Sequence, residues 1–281
     1  MSTTYTATDP DTGAEIELDY IERDKDPERW KWRAISIVVV VTFLAIWELL
    51  PRLDLVSSII LPPVTEVWAG LIELVTGETF FRHLQVTVIE MLFGFVIGTF
   101  VGFAIGVALG VWTPVKKSVY PLVVAFQSLP KIVLAPLLIT WFGYGIESKI
   151  AMAVVIAFFP VLINTMVGLE SVPEEDRQLM RSLRASRSQT FRKLSLPHAA
   201  PFIMAGIKTG LTFAVIGAIV GEFVGSSEGL GYLLHAYSFQ LRIDKVFAVI
   251  VVLSGIGALL YFAIDWLERR LIYWRDDTRL V

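Results

Sequence analysis

Five ionisable side chains fall inside or at the edges of long apolar runs: Glu48, Glu90, Lys131, Lys208 and Glu222. Such groups are expensive within a membrane and mark pathways, relays or partner contacts by default. Lys131 directly follows Pro130, about midway along one run, where a broken helix would expose backbone polar groups to a cavity. A cation at that depth suits an anionic solute, with Gln127, Ser128 and Asn164 able to line the same cavity. A lysine bonded to helix-end carbonyls fits the sequence equally well. Glu90 reads as an interfacial carboxylate in water, and Glu222 lies near the outer end of its segment. Glu48 and Lys208, close to segment ends, are expected to snorkel toward the polar boundary.

Other chemistries find no footing. There are no cysteines, which excludes disulfides and thiolate metal sites, and His83, His198 and His235 are scattered. No carboxylate pair or Ser/His/Asp set can be assembled. Gly206, Lys208 and Thr209 echo a phosphate-binding loop without its cradle spacing. The chain is therefore expected to carry no catalytic residue, metal or cofactor, and any nucleotide energy would have to come from a partner.

Those residues must be positioned by membrane helices. The chain of 281 residues is 55% hydrophobic and 18% charged, with a mean hydropathy of +0.65. Soluble domains average roughly 45–50% and about 25%. A net charge of −3 gives no sign of nucleic-acid binding. Six stretches approach the ~20 apolar residues a helical span needs: 34–50, 87–112, 119–141, 150–169, 203–224 and 246–267. The expected fold is an all-α membrane protein with six transmembrane helices (34–267). It is flanked by an acidic N-terminal tail (1–33) and a short C-terminal tail (268–281). Residues 1–20 hold five acids and no base and read as flexible. With both termini cytoplasmic, inside segments carry 17 Lys and Arg against 5 outside, which fixes the expected orientation.

Glycine recurs every fourth residue at Gly94, Gly98, Gly102, Gly106 and Gly110, and a similar ridge, with one gap of seven, runs through Gly206, Gly210, Gly217, Gly221 and Gly225. In lipid such ridges let backbones approach closely. After Pro62 and Pro63, an apolar stripe from Val64 to Val75 predicts a helix, either lying on the outer interface or packed against neighbouring spans.

The longest expected inside loop, 171–200, has internal order. Ser171 and Glu174 form one capping-box pattern and Ser186 and Gln189 another, predicting two short helices, the second ended by Leu196 and Pro197. Apolar Leu179, Met180, Leu183, Phe191 and Leu194 among six bases suggest a structured surface rather than a tether.

This loop resembles that of the permease subunits of bacterial and archaeal ABC importers, the group including nitrate, sulfonate, taurine and bicarbonate permeases. Their pattern is E-A-A, three residues, G, nine residues, I-x-L-P. Here Gln178, Leu179 and Met180 are followed by Arg184 and then by Leu194, Ser195, Leu196 and Pro197, at the same spacing. Glu, both alanines and the glycine are replaced. Leu129 to Lys131, Leu134 to Leu137, Trp141 to Gly143, Phe158 to Pro160 with Asn164, and Glu222 with Gly229 to Tyr232 resemble further family segments, over roughly residues 35–270.

The resemblance implies a type I importer bundle whose loop docks on a separate ATP-binding cassette subunit that holds ATP and Mg. Arg181, Leu183, Ala185 and Ser186 would sit at the centre of that contact, flanked by Gln178, Arg184, Phe191, Leu196 and Pro197. It also implies a periplasmic or lipid-anchored substrate-binding protein, a second permease copy forming a homodimer, and a location in the cell inner membrane. Glu222, Gly229 and Gly231 would serve gating or binding-protein contact. The competing class is a stand-alone secondary transporter, which would need inverted internal repeats. The solute itself is left open among nitrate, sulfonates, bicarbonate, pyrimidine precursors and aromatic acids.

Overall fold

A computed structural model describes residues 3–8, 15–20 and 29–272. The chain divides into two compact units, Met1–Val64 and Thr65–Val281. In the first, β1 (Thr3–Thr8) pairs antiparallel with β2 (Glu15–Tyr20), Thr3 opposite Tyr20. The segment expected to be a flexible tail thus contains a hairpin, whose Thr, Tyr and Ile residues favour extended backbone despite the acids. The C-terminal tail from residue 273 lies outside the described residues. A helix of 24 residues follows the hairpin, α1 (Arg29–Arg52). The Trp47 indole donates to the Pro62 carbonyl at 2.9 Å, and Glu48 is ion-paired with Arg52 at 2.6 Å.

The second unit holds α2 (Val64–Thr76), α3 (Phe80–Val111), α4 (Thr113–Ser128), a 3-10 turn (Lys131–Leu134), α5 (Ala135–Phe142) and α6 (Ile146–Glu170). Next come α7 (Glu174–Ser182), α8 (Arg187–Thr190), α9 (Leu196–Gly225), α10 (Leu230–Phe239) and α11 (Ile243–Leu271). Among the described residues, five helices are long and apolar enough to cross a membrane: α1, α3, α6, the continuous run of α8 through α9, and α11. The chain is a multi-pass, all-α membrane protein in its spanning part.

The third expected span is not one helix. Its halves, α4 and α5, meet at an 88° bend and make a sixth span only when counted together. The cause is local. Pro130 has no N–H to donate, and it disfavours helical backbone at Leu129, which is extended at ψ 137°. Pro136 then sits in the first turn of α5, where a missing N–H is harmless.

The two glycine ridges meet the same helix. Cβ atoms built at Gly94, Gly98, Gly102 and Gly106 of α3 would strike Ala153, Ala157, Phe158, Val161, Leu162 or Thr165 of α6. Those built at Gly206, Gly210, Gly217 and Gly221 of α9 would strike Asn164, Val161, Ala153 and Lys149, again on α6. Met152, Ala153, Ala157, Val161 and Leu162 are accordingly 0% exposed. Since lipid offers apolar surface no water to escape, this backbone-close packing is what joins the helices.

α2 follows the packing alternative on one face: Val67, Gly70 and Leu74 are buried, and Leu74 joins Phe80, Leu230, Leu233 and Val249 in one cluster. Trp68 and Ile72 on its other face are exposed. Glu73 binds Lys245 at 2.6 Å and Arg242 at 3.3 Å. The hydrogen bond from Lys245 holds the Glu73 carboxyl below its usual range. Lys208, expected to snorkel, has its ammonium group engaged by acids of a neighbouring helix. It pairs with Asp265 at 2.5 Å and also with Glu268, both on α11.

Candidate functional site

The loop after α6 folds in part as its sequence predicts. Ser171 does not cap α7; its hydroxyl turns back and donates to the Gly168 carbonyl at 2.9 Å. Pro173 takes the cap position without a side-chain bond, and Glu174, Glu175 and Asp176 in the first turn complement the helix dipole instead. The second box forms completely: Gln189 N–H donates to Ser186 Oγ at 3.2 Å, and Ser186 N–H donates to Gln189 Oε1 at 2.8 Å.

Between the helices, Arg184 adopts φ +54°. Ala185 N–H donates to Met180 O and Arg184 N–H to Arg181 O, each at 2.9 Å. This pair of bonds is a left-handed C-terminal cap in which glycine is the unstrained residue. Arg184→Gly is therefore expected to stabilise the chain by about 1 kcal/mol. A raised thermal midpoint of the purified protein checks it; a lowered one removes the strain argument.

Leu196 and Pro197 do not end the second helix. Residues Phe191–Ser195 widen into a π-helical turn that runs into α9 with Pro197 in its first turn. An α-helix there would press the Pro197 ring against the residue 193 carbonyl, and one wide turn relieves the clash without a break.

The predicted coupling residues separate into two faces. Gln178, Arg181, Leu183, Arg184 and Ser186 are exposed, Leu183 at 68%, with Leu179 beside them at 58%. Ala185 and Pro197 are half-buried. Phe191 and Leu196 point the other way, packing with Leu169, Ala199 and Ile203 at the ends of α6 and α9. These two residues hold the loop; the exposed set presents it.

At the bend between α4 and α5, Lys131 Nζ donates to Gln127 O at 3.1 Å and lies 4.9 Å above the centre of the Phe159 ring. The structure thus joins Lys131 to the α4 end and to α6. Gln127 and Ser128 are exposed, and Ser128 Oγ donates to Val124 O at 2.9 Å. Asn164 Nδ2 is turned onto its own helix, donating to Pro160 O at 2.8 Å.

A buried polar cluster lies at the opposite end of the bundle from the loop. Glu222 is 1% exposed. Its Oε2 accepts from Gly231 N–H at 2.5 Å and Tyr232 N–H at 3.2 Å, and Oε1 accepts from Thr87 at 2.6 Å. Thr87 Oγ1 in turn accepts from Leu230 N–H at 2.7 Å, and His83 Nδ1 from Gly229 N–H at 3.0 Å. The side chains of α3 and α9 thereby satisfy the free N–H groups at the start of α10. Gly229, at φ +112°, could carry no side chain, since a Cβ would collide with the Glu222 carboxyl.

Lys149 closes the cluster. It is 1% exposed and donates to Gly225 O at 2.7 Å, Tyr144 O at 2.5 Å and Gly145 O at 3.0 Å, using all three ammonium hydrogens. Glu90, expected in water, is instead 1% exposed and lies beside Glu222. Its Oε2 is buried without a partner. It faces inward because it continues the glycine face of α3.

Sequence reasoning missed Lys149, His83 and Thr87. A signal was present, since 83, 87, 90 and 94 recur at helical spacing and extend the Gly94–Gly106 stripe upward as polar residues.

The profile of the family described as "Binding-protein-dependent transport system inner membrane component" matches residues 94–273. The formylaminopyrimidine transport permease protein of Halalkalibacterium halodurans is 36% identical over 233 residues, 83% of this chain and 92% of its own. The riboflavin transport system permease protein of Chloroflexus aurantiacus is 33% identical over 253 residues, 90% and 94% of the two chains. A solved inward-facing methionine ABC transporter shares the fold with a TM-score of 0.61 at 24% identity, covering 68% of this chain and 94% of that one.

Proposed function

This chain belongs to the family of inner membrane components of binding-protein-dependent transport systems, and from that premise we propose the following working arrangement. It is an ABC transporter permease that couples to a separate ATP-binding subunit through the exposed apex of loop 174–197. It works as one of two permease copies in the cell inner membrane, receives its solute from an external binding protein, and leaves ATP and Mg to the partner subunit. Both termini face the cytoplasm.

The observation that carries this reading is the division of the loop into two faces. Leu179 and Leu183 stand exposed on a capped, preorganised apex, while Phe191 and Leu196 tie its base to the spans. A partner groove that takes up the apex gains apolar burial and moves α6 and α9 directly. Lys131 at the bend supports a small polar or anionic solute, because a cation on the broken span offers charge where backbone groups are freed. Glu222 serves gating: it is too buried to touch another protein, but it fixes where α10 starts.

The test is reconstitution. The chain purified with its ATP-binding subunit should show ATP hydrolysis stimulated by the loaded binding protein, and neither component should do so alone. Uptake that persists without any ATP-binding subunit would support a secondary transporter instead. Orientation is checked separately by impermeant thiol labelling of sealed cells. Ser57→Cys and Ser227→Cys, at exposed positions, should react from outside, and Ser188→Cys should not. Labelling at 188 reverses the topology.

A further inference from the structure

Behind the exposed apex lies a cavity to which the coupling residues Arg181, Ala185 and Phe191 also contribute. It measures about 800 Å³ and lies between the loop and the adjoining ends of α3 and α4. Arg177, Arg181 and Arg187 line it, with Thr190, Ser195 and Trp112, and no carboxylate is among its described lining residues. Arg177 is pinned: its Nη2 donates to Leu169 O at 2.9 Å, while its Nε is buried with no acceptor. A buried guanidinium N–H left unpaired is unfavourable, and it points to a missing acceptor. Arg181 is bonded to Glu174 at 3.1 Å, but these side chains are 71% and 56% exposed, so water screens that pair. Arg187 has no carboxylate partner among the described residues.

We propose that this cavity binds a phosphoryl oxyanion, supplied either as inorganic phosphate or as the headgroup of an anionic phospholipid. Three guanidinium groups and two hydroxyls outnumber what a carboxylate's two oxygens can accept, whereas a phosphoryl group offers more acceptors and suits arginine forks. Trp112 and the other apolar residues at the end of α3 give the cavity a wall where a membrane boundary is expected. Basic pockets at span ends are the usual seats of anionic headgroups. A bound anion would brace the base of the loop from behind while leaving its apex free.

The experiment uses the full chain with its ATP-binding subunit in phosphatidylcholine nanodiscs, with two probes. Phosphatidylglycerol retention is read by native mass spectrometry, and inorganic phosphate binding by calorimetry. One probe should bind saturably and identify the source. Arg177→Gln with Arg187→Gln should weaken it about tenfold or more. Arg187→Gln alone, at an exposed position that leaves the fold intact, should weaken it measurably. Glutamine is chosen over lysine at both positions because lysine would keep the charge. Lys117→Gln, outside the cavity, should change nothing.

Equal binding of both probes to wild type and the glutamine variants overturns the proposal. So does loss of the copurified ATP-binding subunit with anion binding unchanged, which would make these arginines a protein contact. Neither outcome touches the permease assignment, because no step reads transport.

Discussion

Leu183→Asp is expected to abolish stimulated ATP hydrolysis while the permease still inserts and folds. In the isolated chain Leu183 is 68% exposed, so a carboxylate there disturbs no internal packing. Once the apex docks in an apolar groove, the same carboxylate must be buried unpaired. That costs several kcal/mol, on the order of a thousandfold in affinity. Copurification of the ATP-binding subunit should fall with hydrolysis. Leu183→Met should do little, because volume and polarity are nearly kept. Intact association and intact stimulation in the aspartate variant would show that this loop is not the coupling element.

Gly102→Leu should have an effect of similar size by a different route, on assembly of the bundle itself. A Cβ at Gly102 would stand 2.7 Å from Phe158 O and 3.1 Å from Val161 Cβ. Neither neighbour is the mobile tip of a long side chain, so α3 and α6 would have to separate, loosening the contacts at Gly98 and Gly106 as well. Overpacking costs about 1–3 kcal/mol even where side chains can yield, and the backbone contact here places this change at the upper end or beyond. The yield of monodisperse protein extracted from membranes should drop sharply. Val101→Leu, at a side 37% exposed, should be nearly silent. Equal behaviour of the two variants would mean that the ridge is not a packing seam.

The features legible in the sequence are those fixed by neighbours within a few residues. The apolar stretches, the break at Pro130 and the Ser186 box all follow from backbone and cap chemistry inside one or two turns. The same locality explains the failures near the loop. Ser171 had two acceptable roles, and the carbonyl of Gly168 at the end of α6 took its hydroxyl. Pro197 could end a helix or open one, and a single wide turn let it do the second.

What the tertiary structure alone decided is which faces meet. The glycine spacing announced two close-packing ridges, but nothing in it said that both press on α6. The charge of Glu90, Lys149 and Glu222 was plain in the sequence, and their burial was not. It required α3, α6 and α9 to be brought together and the N–H groups at the start of α10 to need acceptors. Burial of most of these polar groups is tolerated because their partners arrive with them, and in this cluster those partners lie up to 146 residues apart along the chain.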